Sequence, residues 1–355
     1  MKHKIFNDLF VLEIANNHWG SLNRGLNIIR DFARVVKKNK IKAAIKFQFR
    51  DVDNFVHSNY KQNEEIRYVN KTIKTKISWQ DMKVMIDEVS KNGMLTMATP
   101  FDEFSISKCK ELNLDLVKIA SSDAKDKNLI KEISNLKIPT IASSGGCFLE
   151  NLDWMYNFFK QSNVPFALNH CVSLYPSEDN QLELNQIDFL KNRYKDIVIG
   201  FSTHEYTSWD YSMMIAYAKG ARTFERHIDI NYNNVPVSKY CSLPSQVDVW
   251  FKAFHKAKEL CGNTEDKIRS IKNEELEYLD KLVRGVYFRE SMQSNSVVTV
   301  EDVYFAIPKL EGQISCQEFR ESMIIKRNVN KCSPLMNTNI MKKISGDLNE
   351  KLIST

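Results

Sequence analysis

LTMATPFDEFSISKCKELNLDLVKIASSD, residues 95–123, has the pattern of one complete strand–helix–strand unit. Leu95–Thr99 and Leu116–Ala120 are short, largely apolar runs, as expected of strands. Between them, Glu103–Leu112 carries apolar residues at three- and four-residue steps, which is the spacing of an amphipathic helix. The stretch therefore predicts two parallel strands joined by a crossover helix.

The same alternation extends along most of the chain. The predicted strands are Leu9–Ala15, Ala43–Gln48, Leu95–Thr99, Leu116–Ala120, Thr140–Ser143, Phe166–His170, Ile197–Ser202 and Thr223–His227. The other helical patterns include Leu22–Lys38, Trp79–Lys91, Leu149–Gln161, Leu184–Tyr194, Trp209–Lys219 and Gln246–Leu260. Eight repeats predict an α/β fold of the (β/α)8 TIM-barrel type, with a closed parallel sheet.

The pattern changes after the last predicted barrel helix. Cys261-Gly262-Asn263 has the composition of a helix stop, and a polar stretch follows it. From about Val283 the chain shows short strand patterns separated by turn signals. We therefore predict a barrel domain over residues 1–263, a linker over 264–282 and a small β-rich domain over 283–355.

Composition and charge narrow the functional class. Of the 355 residues, 43% are hydrophobic and 26% are charged, which is typical of a soluble globular protein. The net charge of +6 is dispersed, without a dense basic cluster, so nucleic acid is not an expected partner. The N-terminal apolar run is interrupted at Asn7 and Asp8, so neither a signal peptide nor a membrane span is expected. Seven cysteines without a CxxC pair suit reduced thiols, and we expect a cytoplasmic protein.

Polar residues follow nearly every predicted strand. In a barrel the carboxyl ends of the strands surround the active site, so these side chains are expected to face one opening. The candidates are Glu13, Lys46, Gln48, Thr99, Lys118, Ser121, Asp123, Ser143, Ser173, Tyr175, Ser202, His204 and His227.

These residue types indicate a particular chemistry. Two lysines, several hydroxyls and the pair Gly145-Gly146 predict a site for phosphate and carboxylate groups. His204 and His227 end neighbouring strands and could supply two ligands to one divalent metal. The structural alternatives are a buried ion pair for Lys118, and hydrogen bonding alone for each histidine.

The strand-end motifs resemble the sialic acid synthase family, which includes N-acetylneuraminate, legionaminate and pseudaminate synthases. The matching motifs, in order, are EIANNHWG, IKFQ, TPFDE, VKIASSD, ASSGG, LNHCVSLYP, GFSTH and FERH. The segments VRGVYF, VVTVEDV and EGQISCQEF resemble the antifreeze-like (SAF) domain that ends these enzymes. The resemblance implies a transferase that condenses phosphoenolpyruvate with an aldose, giving a 2-keto-3-deoxy sugar acid for surface glycans.

The resemblance also implies roles for individual residues. Glu13 and Asp123 match acidic positions at the reacting centre, and Asp123 stands where glutamate is usual. His204 and His227 match the metal ligands, with manganese common in relatives and magnesium or cobalt as alternatives. The SAF domain of relatives reaches a second subunit, which implies a domain-swapped homodimer. The residues that the resemblance implies around phosphoenolpyruvate are Lys46, Gln48, Thr99, Lys118, Ser121, Ser143, Ser173 and Ser202. Of these we predict that Lys46 and Lys118 are catalytic, together with Glu13 and Asp123. We also predict that Tyr175, which follows the sixth strand, binds substrate.

Two positions depart from the family pattern on the sugar side. Ser238 stands where an aspartate is common, and Ala306-Ile307-Pro308-Lys309 replaces a stretch that contains a sugar-binding arginine. We therefore predict an acceptor other than N-acetylmannosamine.

Three further functions are compatible with the sequence. One is a synthase of seven- or eight-carbon keto acids, which the SAF-like tail and the NNHWG and STH motifs disfavour. The second is an aldolase in which Lys118 forms a Schiff base. The third is a sugar- or partner-binding barrel without catalysis.

Overall fold

A computed structural model describes residues 3–262 and 268–341, and the chain divides into two compact units, residues 1–263 and 264–355. The first unit is a closed barrel of eight parallel strands in chain order. The predicted barrel is confirmed, and each predicted strand end lies within one residue of the observed end. The strands are β1 Leu9–Ala15, β2 Lys42–Phe49, β3 Leu95–Pro100, β4 Leu116–Ile119, β5 Thr140–Ser143, β6 Phe166–Cys171, β7 Val198–Thr203 and β8 Thr223–His227.

Helices cover the outside of the barrel and connect the strands. They are α1 Leu22–Asn39, α2 Val52–Phe55, α3 Arg67–Lys74, α4 Trp79–Lys91, α5 Glu103–Glu111, α6 Lys127–Asn135, α7 Leu149–Ser162, α8 Asn185–Arg193, α9 Trp209–Ala218 and α10 Pro244–Cys261. The short helices α2 and α3 were not predicted, and both precede α4 in the connection from β2 to β3. None of the described helices has the length and apolar character needed to cross a membrane.

The interior of the barrel changes character along the strands. Because successive side chains of a strand point to opposite faces, every second residue faces inward. At the amino ends these residues are apolar and form a closed cluster, which Phe6 joins from the turn before β1. At the carboxyl ends of the same strands the inward residues are polar or charged, as with Glu13 on β1 and Lys46 on β2. The apolar cluster therefore closes one end and leaves the polar end as the site.

Closure of the barrel depends on aromatic packing between the first strand and the last helix. The Phe10 ring, on β1, lies 4.8 Å from Trp250, 5.0 Å from Phe251 and 5.0 Å from Phe254 between ring centroids, all edge to face. All four side chains are buried. This contact stabilises the junction at which β8 pairs with β1.

The second unit contains short antiparallel strands, so its predicted β-rich character is confirmed. Its elements are α11 Asn273–Asp280, β9 Gly285–Phe288, β10 Val297–Val298, β11 Val303–Ala306 and β12 Met323–Ile324, with β9 paired to β11 and β10 to β12. Helix α11 lies inside the range predicted as a linker. Two glutamates in its first turn, Glu274 and Glu275, favour a helix there because the amino end of a helix attracts negative charge.

Candidate active site

A cavity of about 590 Å³ opens at the carboxyl ends of the barrel strands. Eleven of the thirteen predicted site residues line it: Lys46, Gln48, Thr99, Lys118, Ser121, Ser143, Ser173, Tyr175, Ser202, His204 and His227. Glu13 is fully buried and contacts the cavity through Lys46. Asp123 is half-buried beside Ser121 and Ser122, which line the cavity.

Four buried charges occupy the floor of this cavity. Lys46 Nζ lies 2.6 Å from Glu13 Oε2 and 2.9 Å from Glu225 Oε1. Lys118 Nζ lies 3.5 Å from Glu225 Oε2 and donates a hydrogen bond of 2.6 Å to Ser143 Oγ. Glu225 therefore bridges the two lysines, and two ammonium groups are compensated by two carboxylates.

The pKa directions follow from burial and from these ion pairs. Burial raises the pKa of Glu225, but the charges of Lys118 and Lys46 outweigh that effect and lower the pKa to about 2. Burial lowers the pKa of Lys118, which has only the longer contact to a carboxylate. Burial also opposes the charge on Lys46, but its two carboxylate partners raise the pKa above the ordinary value. Lys46 is thus the more firmly charged of the two lysines.

Hydroxyl groups converge on one wall because a glycine leaves room for them. A Cβ atom at Gly145 would lie 2.1 Å from Ser173 Oγ and 2.6 Å from Ser121 Oγ, far closer than van der Waals contact. Gly145 follows β5, Ser121 follows β4 and Ser173 follows β6. A residue with a side chain at position 145 would therefore displace the hydroxyls of two neighbouring strand ends.

The two histidines lie side by side in the same cavity. Their ring centroids are 5.4 Å apart. His204 Nδ1 is 3.0 Å from the carbonyl oxygen of Val172, so it is the protonated donor and leaves Nε2 with a lone pair. His227 Nδ1 is buried and has no hydrogen-bond partner in the described part of the chain. Burial lowers the pKa of His204 to about 4, and burial together with His204 lowers the pKa of His227.

This pair fits a divalent metal ion. Neutral imidazoles with available lone pairs are metal ligands, and the Val172 carbonyl orients one ring as an outer partner does in metal sites. Among residues 3–262 and 268–341, no group of three or more histidine, cysteine or carboxylate side chains is placed to hold a metal. The protein would therefore contribute two nitrogen ligands, and water or substrate oxygen would fill the remaining positions.

Several cavity residues were not predicted. Glu225 belongs to the FERH motif, and its two-residue spacing from His227 on one strand is the signal that places both inside the barrel. Arg50 has the same spacing from Gln48, to which its Nη1 donates a hydrogen bond of 2.8 Å. Arg67 and Lys71 also line the cavity, but they lie on α3, away from any strand end.

The two positions that depart from the family pattern, Ser238 and the stretch that contains Lys309, lie in different surroundings. Ser238 lines a second cavity of about 530 Å³, together with Arg67 and Lys71. Lys309 Nζ forms an ion pair with Asp280 Oδ1, within the second unit.

The chain is similar to several known synthases. N-acetylneuraminate-9-phosphate synthase of Drosophila melanogaster is 31% identical over 153 residues, covering 42% of this chain and 40% of that enzyme. Pseudaminic acid synthase of Campylobacter jejuni is 26% identical over 228 residues, covering 61% of this chain and 64% of that enzyme. The chain thus spans less than two thirds of either relative.

Solved structures resemble a larger part of the chain. A protein described as spore coat polysaccharide biosynthesis protein E from Chromobacterium violaceum has a TM-score of 0.89 and 29% identity, covering 94% of this chain and 99% of that one. An N-acetylneuraminic acid synthetase from Leptospira borgpetersenii has a TM-score of 0.67 and 26% identity, covering 77% of this chain and 91% of that one. A family model described as the NeuB family matches residues 36–266. The chain therefore belongs to the NeuB family.

Proposed function

We propose that this protein condenses phosphoenolpyruvate with an aldose to form a 2-keto-3-deoxy sugar acid and phosphate. The observation that supports it best is the buried pair Lys46 and Lys118, bridged by Glu225, beside two neutral histidines in one cavity. Membership of the NeuB family and the named activities of the relatives agree with this reaction class.

The lysines and hydroxyls would hold the charged substrate. Phosphoenolpyruvate carries a carboxylate and a phosphate, and each needs cationic or hydrogen-bonding partners in a confined site. Lys46 and Lys118 supply the charges, while Ser121 and Ser143 supply hydroxyl donors. Because Glu225 spans both lysines, it holds the two ammonium groups in place before the substrate arrives.

A carboxylate of the site would act as the general base for the attacking water. In the reaction C3 of phosphoenolpyruvate bonds to the aldehyde carbon, water adds at C2, and the C2–O bond to phosphate breaks. A general base takes the proton from that water. Burial raises the pKa of Glu13 above its ordinary value. Burial also raises the pKa of Asp123 to about 6, and a carboxylate with that pKa suits proton transfer near neutral pH. We assign the base role to Glu13 or Asp123.

His204 and His227 would hold a divalent metal, for which manganese is our proposal. When bound, such an ion supplies Lewis-acid polarisation of a carbonyl oxygen. Calorimetric titration with MnCl₂ tests the site, because His204→Ala and His227→Ala should each weaken Mn²⁺ binding strongly. Unchanged binding in both variants would remove these residues from the metal site.

The deciding experiment mixes the protein, phosphoenolpyruvate and Mn²⁺ with a panel of free aldoses. Phosphate release and the mass of the product are followed together. We expect release that depends on one or more aldoses, with a product heavier than the aldose by the added pyruvate unit. A panel in which no aldose stimulates release would contradict the proposed reaction.

A second reaction is favoured by one observation at Lys118. Its pKa is lowered by burial, and a lysine must lose its proton before it can form a Schiff base. Borohydride reduction in the presence of pyruvate would attach the three-carbon unit covalently to Lys118 in an aldolase. The condensation proposed above expects no such adduct.

We also propose that the second unit is an SAF-type domain that acts in a homodimer. The support is the resemblance of its three segments to that domain, together with its short antiparallel strands. Sedimentation equilibrium of the full chain, compared with a chain ending at residue 262, tests this assignment. A monomeric full chain would contradict it.

A further inference from the structure

A buried ion pair joins two residues that adjoin the proposed metal ligands in the chain. Glu205 directly follows His204, and Arg226 directly precedes His227. Arg226 Nη1 lies 2.8 Å from Glu205 Oε1, and both side chains are fully buried. Arg226 Nη2 donates a second hydrogen bond, to the backbone carbonyl oxygen of Glu205. One guanidinium group therefore holds both the side chain and the backbone of the residue that follows His204.

This ion pair lies where the backbone pairing of the two strands ends. The last partners in the register of β7 with β8 are Thr203 and Arg226. His204 and His227 come one position later on each strand and line the cavity. Because side chains alternate along a strand, Arg226 points to the opposite face of the sheet from His227. The contact of Arg226 with Glu205 thus continues the link between the two strand ends from outside the barrel.

Hydroxyl groups fix the carboxylate of the pair. Ser212, on α9, donates a hydrogen bond to Glu205 Oε1, and Thr203, at the end of β7, donates one to Oε2. With the bond from Arg226, the carboxylate accepts three side-chain hydrogen bonds. Hydrogen bonds to an ionised group are short and directional, so these three bonds fix residue 205 and limit the movement of the adjoining His204.

The guanidinium group of the pair fixes the backbone of the other histidine. Arg226 Nε donates a hydrogen bond of 2.9 Å to Ser242 Oγ. The backbone N–H of Ser242 donates in turn, at 2.8 Å, to the carbonyl oxygen of His227. The guanidinium also lies 5.8 Å from the ring centroid of Trp250, on α10. The same cation therefore holds the residue after His204 and the residue that bonds to His227.

Stability of the fold does not by itself account for this pair. Removing two charges from water is unfavourable, and well-packed neutral side chains of similar volume often stabilise a protein as well or better. A hydrogen-bonded ion pair does impose a fixed distance and direction. His204 Nδ1 donates to the Val172 carbonyl, whereas His227 Nδ1 has no partner in the described part of the chain. The placement of the His227 ring therefore depends on how its backbone is held.

We propose that Glu205 and Arg226 are positioning residues, which hold His204 and His227 at the separation that lets both imidazoles bind one divalent ion. The inference rests on the proposed metal site. The two ring centroids are 5.4 Å apart, and a binding site tolerates displacements of only about 0.5 Å in its ligating groups. Loss of the pair should therefore weaken binding of the ion without removing either ligand.

The test measures Mn²⁺ affinity and stability in the same full-length variants. Glu205→Gln combined with Arg226→Met removes both charges at similar side-chain size, so no uncompensated charge stays buried. Calorimetric titration with MnCl₂ should give a dissociation constant about 10-fold to 100-fold above that of the unmodified protein, as is usual when residues that orient metal ligands are replaced. The midpoint of urea unfolding should stay close to that of the unmodified protein.

A single variant provides a second measurement that preserves the charge balance. Arg226→Lys keeps the positive charge but replaces the planar fork by one ammonium group, which cannot reproduce the three hydrogen bonds of the guanidinium. Its dissociation constant for Mn²⁺ should also rise, by about 10-fold. This variant decides the question if the double variant does not fold.

A second buried ion pair provides the matched control. Arg24 Nη2 lies 2.6 Å from Asp229 Oδ1, and both side chains are 2% exposed. Asp229 is two residues from His227, but its partner Arg24 lies on α1 and not beside β7. Asp229→Asn combined with Arg24→Met makes the same change of charge and should leave the Mn²⁺ affinity unchanged.

The outcomes separate this inference from the proposed function. Variants of Glu205 and Arg226 that bind Mn²⁺ as tightly as the unmodified protein overturn the inference and leave the metal site intact. An equal loss of affinity in the control also overturns it, because removal of any buried pair near the cavity would then have the same effect. An unmodified protein that binds no Mn²⁺ removes the metal site and the inference together. A selective loss supports the inference even in a protein that forms no sugar acid.

Discussion

The Glu225 bridge can be tested by unfolding, independently of any substrate. Replacing Glu225 by glutamine keeps the size of the side chain but removes the charge between Lys46 and Lys118. Replacing Lys118 by methionine removes one of the two ammonium groups at similar length. Each single change leaves the four-residue cluster on the cavity floor with one uncompensated charge. The double change leaves one ammonium group and one carboxylate, those of Lys46 and Glu13, which compensate each other.

The magnitude follows from the contact geometry. At 3.5 Å between Lys118 and Glu225, the Coulomb attraction is about 5 kcal/mol at an effective dielectric constant of about 20. Leaving a buried charge without its partner costs about 3–5 kcal/mol. We therefore expect Glu225→Gln and Lys118→Met each to lower the free energy of unfolding by about 3 kcal/mol or more. The loss in the double variant should be smaller than the sum by about 2 kcal/mol.

Urea unfolding followed by tryptophan fluorescence is the suitable assay. All five tryptophans lie within residues 1–263, so the signal reports on the barrel unit and not on the second unit. An unchanged dependence of the unfolding free energy on urea concentration would show that the same surface is exposed in each variant.

A matched cycle on the surface provides the control. Lys83 and Asp87 form an exposed pair at 2.8 Å on α4, four residues apart. Because water screens exposed charges, their coupling should stay below about 0.5 kcal/mol. For the surface pair, the decreases in unfolding free energy of the two single variants should nearly add up to that of the double variant. If the decreases for Glu225→Gln and Lys118→Met add up in the same way, Glu225 does not bridge the two lysines in solution.

Other consequences of the structure can be measured directly. Gly145→Ala should raise the KM for phosphoenolpyruvate at least about 10-fold, because the new Cβ would lie 2.1 Å from Ser173 Oγ; an unchanged KM would mean that this wall does not bind the substrate. If Asp123 is the base, activity should decrease below about pH 6. The residual activity of Asp123→Asn should then lack this decrease, rather than show it at another pH. Because the raised pKa means that folded Asp123 holds its proton more tightly than unfolded Asp123, its contribution to stability is lost as pH rises from about 4 to about 6, and Asp123→Asn should remove this dependence. In H₂¹⁸O the label should enter the sugar acid and not the phosphate; labelled phosphate would show that the P–O bond breaks instead.

Much of the barrel follows from the sequence because its signals are local. A strand such as Leu116–Ile119 is marked by its own apolar residues, and a helix such as Glu103–Glu111 by its own periodicity. The strand-end position of Lys46 or His204 then places it at the active-site face without further information. The connection from β2 to β3 lacked such a signal, so α3 and its cations were missed.

The ion pairs across the barrel could not be predicted from local patterns, because they form between residues that are distant along the chain. Glu225 is 179 positions from Lys46 and 107 from Lys118, yet one carboxylate contacts both ammonium groups. The closed sheet brings β8 beside β1 and directs these side chains to a common interior. Local residue patterns alone therefore indicate which polar groups face the site, whereas the closure of the barrel decides which charges compensate one another.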